Sequence, residues 1–360
     1  MVESSVSAVV LAWKEEPWLT RCIEALLAST GVAIEVVIVD NGAEGTSVQT
    51  LEKFADHPSV TMVRPGRNLG FAGGSNLGAR SATGDYIALV NGDLLVEPTT
   101  LRRLVDVVDG TGGAQPEPGY GGGEHPQRLP GVGLAVASVR MADDVEIINA
   151  GANPVHLLGM SWAGGMGTKE TRTAPVDTAA ASGACVLTTR AHWQRLDGFD
   201  EEYFAYCEDS ELSLRTWRLG LRCVYVPDAV ATHRYEFSRN PFKQYLIERN
   251  RLMLVATLWG PRALAVLAPP LLAFEAVMLS VAVAQGWGGA KIRGWTWLWR
   301  NREHVRARRR LLRGEGQVPD REWMRLLRAD VDKVFFPLPV GLGALNAVMR
   351  GYWAAVRRLV

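Results

Sequence analysis

The sequence predicts an α/β protein: a mostly parallel, Rossmann-like sheet flanked by helices, followed by a helical C-terminal region. Three observations carry this. From Val6 to Asp93, β-branched runs alternate with stretches of helical periodicity, which is the pattern of βαβ units. Two of the runs stop abruptly in polar residues, at Asp40-Asn41-Gly42 and at Asn91-Gly92-Asp93. Beyond Leu258 the strand pattern disappears and long apolar and basic stretches take over.

The elements follow in order. Val6 to Ala12 and Ile34 to Val39 read as strands, joined by a helix over Pro17 to Ala28 with Leu19, Ile23, Leu26 and Leu27 at helical spacing. Ser59 to Val63 is a shorter strand. Arg67 to Asn76 is a Gly-rich turn, and Asn76 to Ala82 continues it as a helix. Tyr86 to Val90 is apolar throughout, as expected of a parallel strand covered on both faces. Thr111 to Pro130, dense in Gly and Pro, reads as a surface loop. A second block has strands at Gly133 to Met141, Cys185 to Thr188 and Cys223 to Val226, with a helix over Ser210 to Leu219 closed by Gly220. Leu246 to Leu258 is helical. We place the boundary there, with residues 1–258 forming the first unit and 259–360 the second.

Composition narrows the function. Hydrophobic residues at 48% and charged residues at 21% are those of an ordinary globular protein, and a net charge of +1 gives no argument for nucleic-acid binding. Cys22, Cys185, Cys207 and Cys223 lack metal-ligand spacing. The N-terminus reads as a strand and not as a signal peptide, so a reducing, cytoplasmic setting fits.

The strand ends hold the chemistry. In open α/β sheets, ligands bind beyond the carboxyl ends of the strands. Asp93 stands at such an end and is a hard oxygen ligand for a divalent cation, although Asn-Gly also favours a plain turn. Asp40 ends the second strand on the same edge, placed to accept hydrogen bonds from a nucleotide base. The Gly-rich segment Asn68 to Asn76 lets backbone approach a ligand closely, and a tight structural loop would use the same residues. Downstream come Gly198-Phe199-Asp200-Glu201, then Glu208-Asp209-Ser210-Glu211-Leu212, and finally His233 beyond the strand Cys223 to Val226.

In this order the residues resemble the inverting, GT-A type glycosyltransferases of family 2, especially their rhamnosyltransferase-like branch. The match runs from Val39-Asp40-Asn41-Gly42 through Asn68 to Asn76, Gly84-Asp85-Tyr86, Asn91-Gly92-Asp93 and Ser182 to Cys185. It continues through Gly198 to Glu201, Glu208 to Leu212 and Tyr225-Val226-Pro227 to His233, covering roughly residues 5 to 255. The resemblance implies an enzyme that uses a nucleotide-sugar donor. Asp209 matches the family's catalytic base, and Asp93 and His233 match its ligands for Mn²⁺ or Mg²⁺. The implied donor-binding set is Ala12, Trp13, Glu15, Asp40, Asn41, Asn68, Gly73, Gly74, Asn76, Asn91, Gly92, Asp93 and Glu208. Trp13 equally suits a packing role, and Glu208 with Asp209 suits a helix first turn. Asn91 departs from the stricter Asp-x-Asp form and points to the rhamnosyltransferase-like branch. A binding-only protein on this scaffold would have no need of Asp209.

The second unit suggests a surface. Ala263 to Gln285 is almost wholly apolar, but Pro269-Pro270 is expected to break its helix near the start, and Glu275 interrupts it. Trp287, Trp295, Trp297 and Trp299 lie among Lys291, Arg293, Arg300, Arg302, Arg306, Arg308, Arg309, Arg310 and Arg313. Aromatic and basic residues together suit an anionic headgroup layer, and Phe335 to Val360 offers a second amphipathic stretch. The alternative is a helical subdomain that packs on the catalytic unit or forms a homo-oligomer. These features predict a peripheral protein on the inner face of the cell membrane; the resemblance implies a glycan acceptor, and a polyprenyl-linked one follows if this unit is an anchor.

Overall fold

The structure is a computed structural model that describes residues 4–110, 131–234, 240–332 and 341–360. β1 (Ser5–Lys14) leads through α1 (Leu19–Leu27) to β2 (Ala33–Ala43), and α2 (Gly45–Phe54) leads to β3 (Val60–Val63). α3 (Gly70–Ser81) precedes β4 (Tyr86–Val90), which turns into the short β5 (Leu94–Val96) and then α4 (Thr100–Val108). Next come β6 (Val132–Met141), β7 (Ile148–Ala150), β8 (Val176–Asp177) and β9 (Cys185–Thr189). α5 (Arg190–Leu196), α6 (Glu208–Arg218) and β10 (Arg222–His233) complete the sheet-forming part. The remainder is helical: α7 (Pro241–Leu258), α8 (Pro261–Ala284), α9 (Gly288–Arg300), α10 (Arg302–Glu315), the one-turn α11 (Asp320–Trp323) and α12 (Leu342–Val356).

The strands form one sheet in the order β3-β2-β1-β4-β9-β6-β10-β5, with β7 beside β6 and β8 beside β10. β1, β2, β3 and β4 are mutually parallel, as are β6 and β10. β9 inserts antiparallel between β4 and β6, and β5, β7 and β8 also pair antiparallel. The sheet is therefore mixed, which corrects the expectation of a mostly parallel one. Strand direction depends on which distant segment fills the gap beside β4, and no local sequence pattern records that.

Both faces of the sheet are covered. Val6, Ala8 and Val10 of β1 pack in one core with Leu19, Ile23 and Leu26 of α1 and Leu101 and Leu104 of α4. Val9 points the other way, into a core with Val37, Val39, Leu212 and Trp217. That second core continues into the C-terminal helices through Leu254, Leu258, Trp259, Ala263, Leu312 and Trp323. α3 lies close on this face: a Cβ at Gly78 would stand 2.3 Å from Val9 Cγ1.

Several elements differ from expectation for identifiable reasons. β10 does not stop at Val226. A register shift between Val226 and Val230 absorbs Pro227-Asp228, and the strand runs on to end at His233 itself. α3 begins at Gly70, so Gly73, Gly74 and Asn76 lie inside a helix and not in a loop. α6 begins at Glu208, which puts Asp209 in its first turn. α8 passes unbroken through Pro269-Pro270. Pro270 cannot donate to the carbonyl of Val266, and that carbonyl accepts the Tyr352 hydroxyl of α12 instead. The loop expected over 111–130 lies outside the described residues, as do residues 335–340 of the second amphipathic stretch.

Candidate active site at the strand ends

Asn91-Gly92-Asp93 is the turn between β4 and β5, at the carboxyl end of a buried parallel strand. The Asn91 N–H donates to Ala184 O at 2.9 Å, and its carbonyl accepts from Leu94 N–H at 3.2 Å. These bonds hold the tripeptide against the start of β9. The tripeptide is thus a turn, with the Asp93 side chain left at the strand end.

Asp93 meets His233. Antiparallel pairing of β10 with β5 sets His233 opposite Leu94, and Asp93 Oδ2 stands 3.0 Å from His233 Nε2. His233 is buried, and its Nδ1 lies 2.9 Å from Asn149 Oδ1 on β7. Asn149 Nδ2 donates to Met141 Sδ, so its oxygen faces the ring and His233 Nδ1 carries the proton. Nε2 is the ring nitrogen that faces Asp93. A carboxylate and an imidazole whose far nitrogen is fixed by an outer partner is a donor set suited to a divalent cation. No group of three or more His, Cys, Asp or Glu side chains among the described residues is placed to hold a metal ion. Two protein ligands still fit a cation that takes its other ligands from substrate phosphates and water. Asn149 gave no signal in the sequence, because its role arises only from the pairing of β6 with β7.

Asp209 reaches the same edge through the backbone. Gly183 N–H donates to Asp209 Oδ2 at 3.1 Å, one residue from the Ala184 carbonyl that holds Asn91. Asp209 Oδ1 accepts from Ser210 N–H at 2.6 Å and from Ser210 Oγ at 3.3 Å. Burial raises the Asp209 carboxyl above its usual range, and these hydrogen bonds oppose the shift. Its neighbour Glu208 is more deeply buried, and its Oε2 has no hydrogen-bond partner among the described residues. Burial and then the Asp209 charge push Glu208 well up.

The segment before these acids is strained. Phe204, Tyr206 and Cys207 all adopt positive φ, at 61°, 72° and 69°, which is costly for residues other than glycine. Two α7 residues hold it. Asn250 Nδ2 lies within 2.9 Å of the carbonyls of Tyr203, Ala205 and Tyr206, and Arg249 Nη2 donates to those of Glu202 and Tyr203. Gly70 completes the fit, since at φ 72° a Cβ there would stand 2.3 Å from Phe204 O.

The other predicted residues divide into two groups. Trp13 is 51% exposed at the end of β1, with Lys14 Nζ 4.7 Å from its ring centre. Asp40 is half-buried at the end of β2, its Oδ1 accepting from Gly42 and Ala43 N–H. Glu15 Oε1 accepts from Thr46 N–H. These side chains stand on the same strand-end edge as Asp93. In contrast, Asn41 and Asn76 are buried, with their amides committed to backbone. Asn41 bonds Leu69 N–H and Gly70 O, and Asn76 bonds both N–H and O of Phe199. Asn68 Oδ1 caps Gly70 N–H. Gly73 and Gly74 lie against Leu69 and Leu11, Gly92 lies against Leu19, and Ala12 is fully buried.

A mixed sheet with acids at the carboxyl ends of its parallel strands is a frame for a bound ligand, and comparison with known proteins says of which class. The model of glycosyl transferase family 2 matches residues 7–128, and that of glycosyl transferase family group 2 matches residues 155–301. N-acetylglucosaminyl-diphospho-decaprenol L-rhamnosyltransferase of Mycobacterium tuberculosis is 27% identical over 242 residues, covering 62% of this chain and 74% of that relative. Among solved structures, GalNAc-T7 with UDP, GalNAc and Mn²⁺ aligns with a TM-score of 0.57 at 16% identity, over 72% of this chain and 49% of that one. S. aureus TarS with UDP-GlcNAc aligns with a TM-score of 0.51 at 14% identity, over 98% and 90%. The fold is GT-A. The chain belongs to the family 2 glycosyltransferases and is rhamnosyltransferase-like in sequence.

Proposed function

We propose that this glycosyltransferase is a divalent-cation-dependent, inverting enzyme that moves a sugar from a nucleotide to a hydroxyl of a lipid-linked or cell-envelope glycan. The observation that carries the reading is Asp209, held at the strand-end edge by Gly183 and Ser210. In the reaction, the acceptor hydroxyl gives its proton to the Asp209 carboxylate while its oxygen attacks the anomeric carbon. The bond from that carbon to the diphosphate breaks, with inversion. A raised carboxyl is a stronger base than an ordinary Asp at the same reach.

Asp93 and His233 would hold Mn²⁺ or Mg²⁺, with Asn149 fixing the imidazole. When bound, the cation supplies Lewis-acid neutralisation of the leaving diphosphate. Trp13, Asp40 and Asn91 are the donor-facing residues, whereas Asn41, Asn68, Gly73, Gly74 and Asn76 shape the edge from within. Rhamnose from dTDP-rhamnose is the first choice of donor, supported by the name of the mycobacterial relative, which also names a diphospho-decaprenol. Residues 1–258 serve as the catalytic unit and 259–360 as a helical unit seating the enzyme on the inner face of the membrane. Support for the seat comes from α8, which is long and apolar enough to cross a membrane, yet only 11% of its most apolar window is buried.

Two measurements test the reading. Thermal shifts with UDP, dTDP and GDP sugars in the presence of Mn²⁺ should single out the donor by the largest rise in melting temperature. Steady nucleoside diphosphate release on adding acceptor should follow, and donor binding without any release would defeat it.

A further inference from the structure

Arg218 ends α6 at the far side from Asp209. They are nine positions apart on the helix, about 14 Å along the axis. The Arg218 carbonyl accepts from Gln317 and Val318 N–H, which fixes the residue beneath the segment that follows α10. Its side chain is only 5% exposed, and its Nε has no hydrogen-bond partner among the described residues. A buried guanidinium with an unused donor is costly unless an acceptor arrives.

Arg218 lines a cavity of about 480 Å³ together with Arg262, in the first turn of α8, and Arg313, in the last turn of α10. Asp320 is the acid on the wall. Its Oδ1 accepts from Trp323 Nε1, and its Oδ2 lies against Gly260, the residue that opens α8. Three guanidinium groups thus stand with the Asp320 side chain in one wall, and Glu211 and Glu315 also act on Arg218. Burial lowers the Arg218 guanidinium, Asp320 opposes that shift, and Arg313 adds to it.

Pro261 is also in the wall of an adjoining groove of about 730 Å³. Leu252, Val255, Leu264, Leu271 and Leu298 line that groove, and Arg309 is its sole charged lining residue. A cationic cavity therefore opens beside an apolar groove, the two sharing one residue at the head of α8.

We propose that the two cavities form a binding site for a phosphate-headed lipid, its phosphate among Arg218, Arg262 and Arg313 and its hydrocarbon chain in the groove beside α8. Guanidinium groups match phosphate oxygens in pairs, and the N-terminus of the long helix α8 adds a favourable dipole. Free phosphate would satisfy the arginines and leave the groove exposed to water. The lipid satisfies both. The outer face of α8, where Leu272, Val277 and Val283 are 69%, 59% and 65% exposed, sets the groove on the side that a bilayer would cover. The site lies apart from the donor edge and does not depend on which sugar is transferred.

Calorimetric titration of the full chain with monomeric dioctanoyl phosphatidic acid tests this. Inorganic phosphate and dioctanoylglycerol serve as head-only and tail-only probes. Arg262, Arg313 and Ala265 are exposed, so Arg262→Gln/Arg313→Gln and Ala265→Trp alter the site without burdening the fold. Saturable 1:1 binding of the lipid is expected, weakened about tenfold or more in each variant and about tenfold or more for either partial probe, a difference of about 1.4 kcal/mol. Equal binding by wild type and both variants would overturn the site, and inorganic phosphate binding as tightly as the lipid would overturn the lipid. Nucleoside diphosphate release with a water-soluble acceptor is expected to be unchanged in these variants, which separates this site from the transferase reading.

Discussion

The sheet and the C-terminal helices solve the problem of charge in opposite ways. In the sheet, apolar side chains fill both faces and the acids stand along its strand-end edge: Asp40 and Asp93 on the strands and Asp209 at the start of α6 are each partly exposed. Among the helices, charge is buried and apolar surface faces out. Arg251 and Lys291 are each 1% exposed and share Glu248 and Glu275. Trp295 Nε1 donates to the same Glu275. On the far side of α8, Leu272, Val277 and Val283 have no cover, and α12 adds exposed Leu345 and Val348. The inversion teaches that Glu275, which interrupts the apolar run of α8, marks the protein-facing side of that helix, where Arg251, Lys291 and Trp295 meet it.

The comparison breaks first at Asp209. Asp209→Asn keeps the side-chain volume and loses the base, so turnover should fall by about 10²- to 10⁴-fold. Donor affinity, measured calorimetrically, should change less than about twofold, far below the tenfold that 1.4 kcal/mol represents. Unchanged turnover would remove Asp209 from the mechanism. On the helical side the corresponding blow is to the buried charges. Lys291→Met leaves Glu248 and Glu275 with Arg251 alone, and should cost about 3–5 kcal/mol in urea unfolding. Leu272→Gln, on the exposed face, should stay within about 0.5 kcal/mol while lowering affinity for anionic liposomes. Equal destabilisation by the two would mean that α8 is an ordinary core helix.

The metal pair offers a finer test. Asn149→Ala leaves Asp93 and His233 in place and frees the imidazole to change tautomer. Mn²⁺ affinity, read from the metal dependence of turnover, should weaken about 10- to 100-fold, with kcat restored at saturating Mn²⁺. A loss of kcat that metal cannot rescue would give Asn149 a purely structural part.

Much of this was legible because strand ends and helix starts are local. Val36 to Val39 and Tyr86 to Val90 are apolar at every position, so burial on both faces and the polar stops after them could be read directly. Asp209 in a helix first turn was equally visible. What escaped depended on distant partners. Pro227 and Pro269-Pro270 are local break signals, yet β10 absorbs the first with a register shift, and Tyr352 satisfies a carbonyl freed by the second pair. Asn149, Arg249 and Asn250 serve carbonyls and a ring that the chain brings near only after the sheet has closed. The packing behind the Gly-rich stretch escaped for a related reason: Gly78 lets α3 lie on Val9, and Gly70 admits Phe204 O, contacts that no local pattern records.

The smallest effect is also the most specific to the donor edge. Asp209 must be ionised to accept a proton, and burial raises its carboxyl. Activity therefore falls as pH drops through that raised value, and the acidic limb of kcat/KM should lie above the range of an ordinary Asp, near 3.9. Stability has the opposite sign, because a carboxyl raised in the folded state makes folding less favourable as pH climbs and the group ionises. Glu208, raised by burial and by Asp209, titrates with it, so the limb belongs to the pair. Ser210→Ala removes the Oγ contact that favours the ionised form. A hydrogen bond of about 0.5–1.5 kcal/mol corresponds to a shift of roughly half a unit to one unit, and the limb should move upward by about the smaller amount, since the Ser210 and Gly183 N–H bonds remain. A limb that stayed put in Ser210→Ala while turnover fell would show that the hydroxyl positions α6 and does not tune the base. A downward shift would show that the group controlling the limb is not a carboxylate held by Ser210.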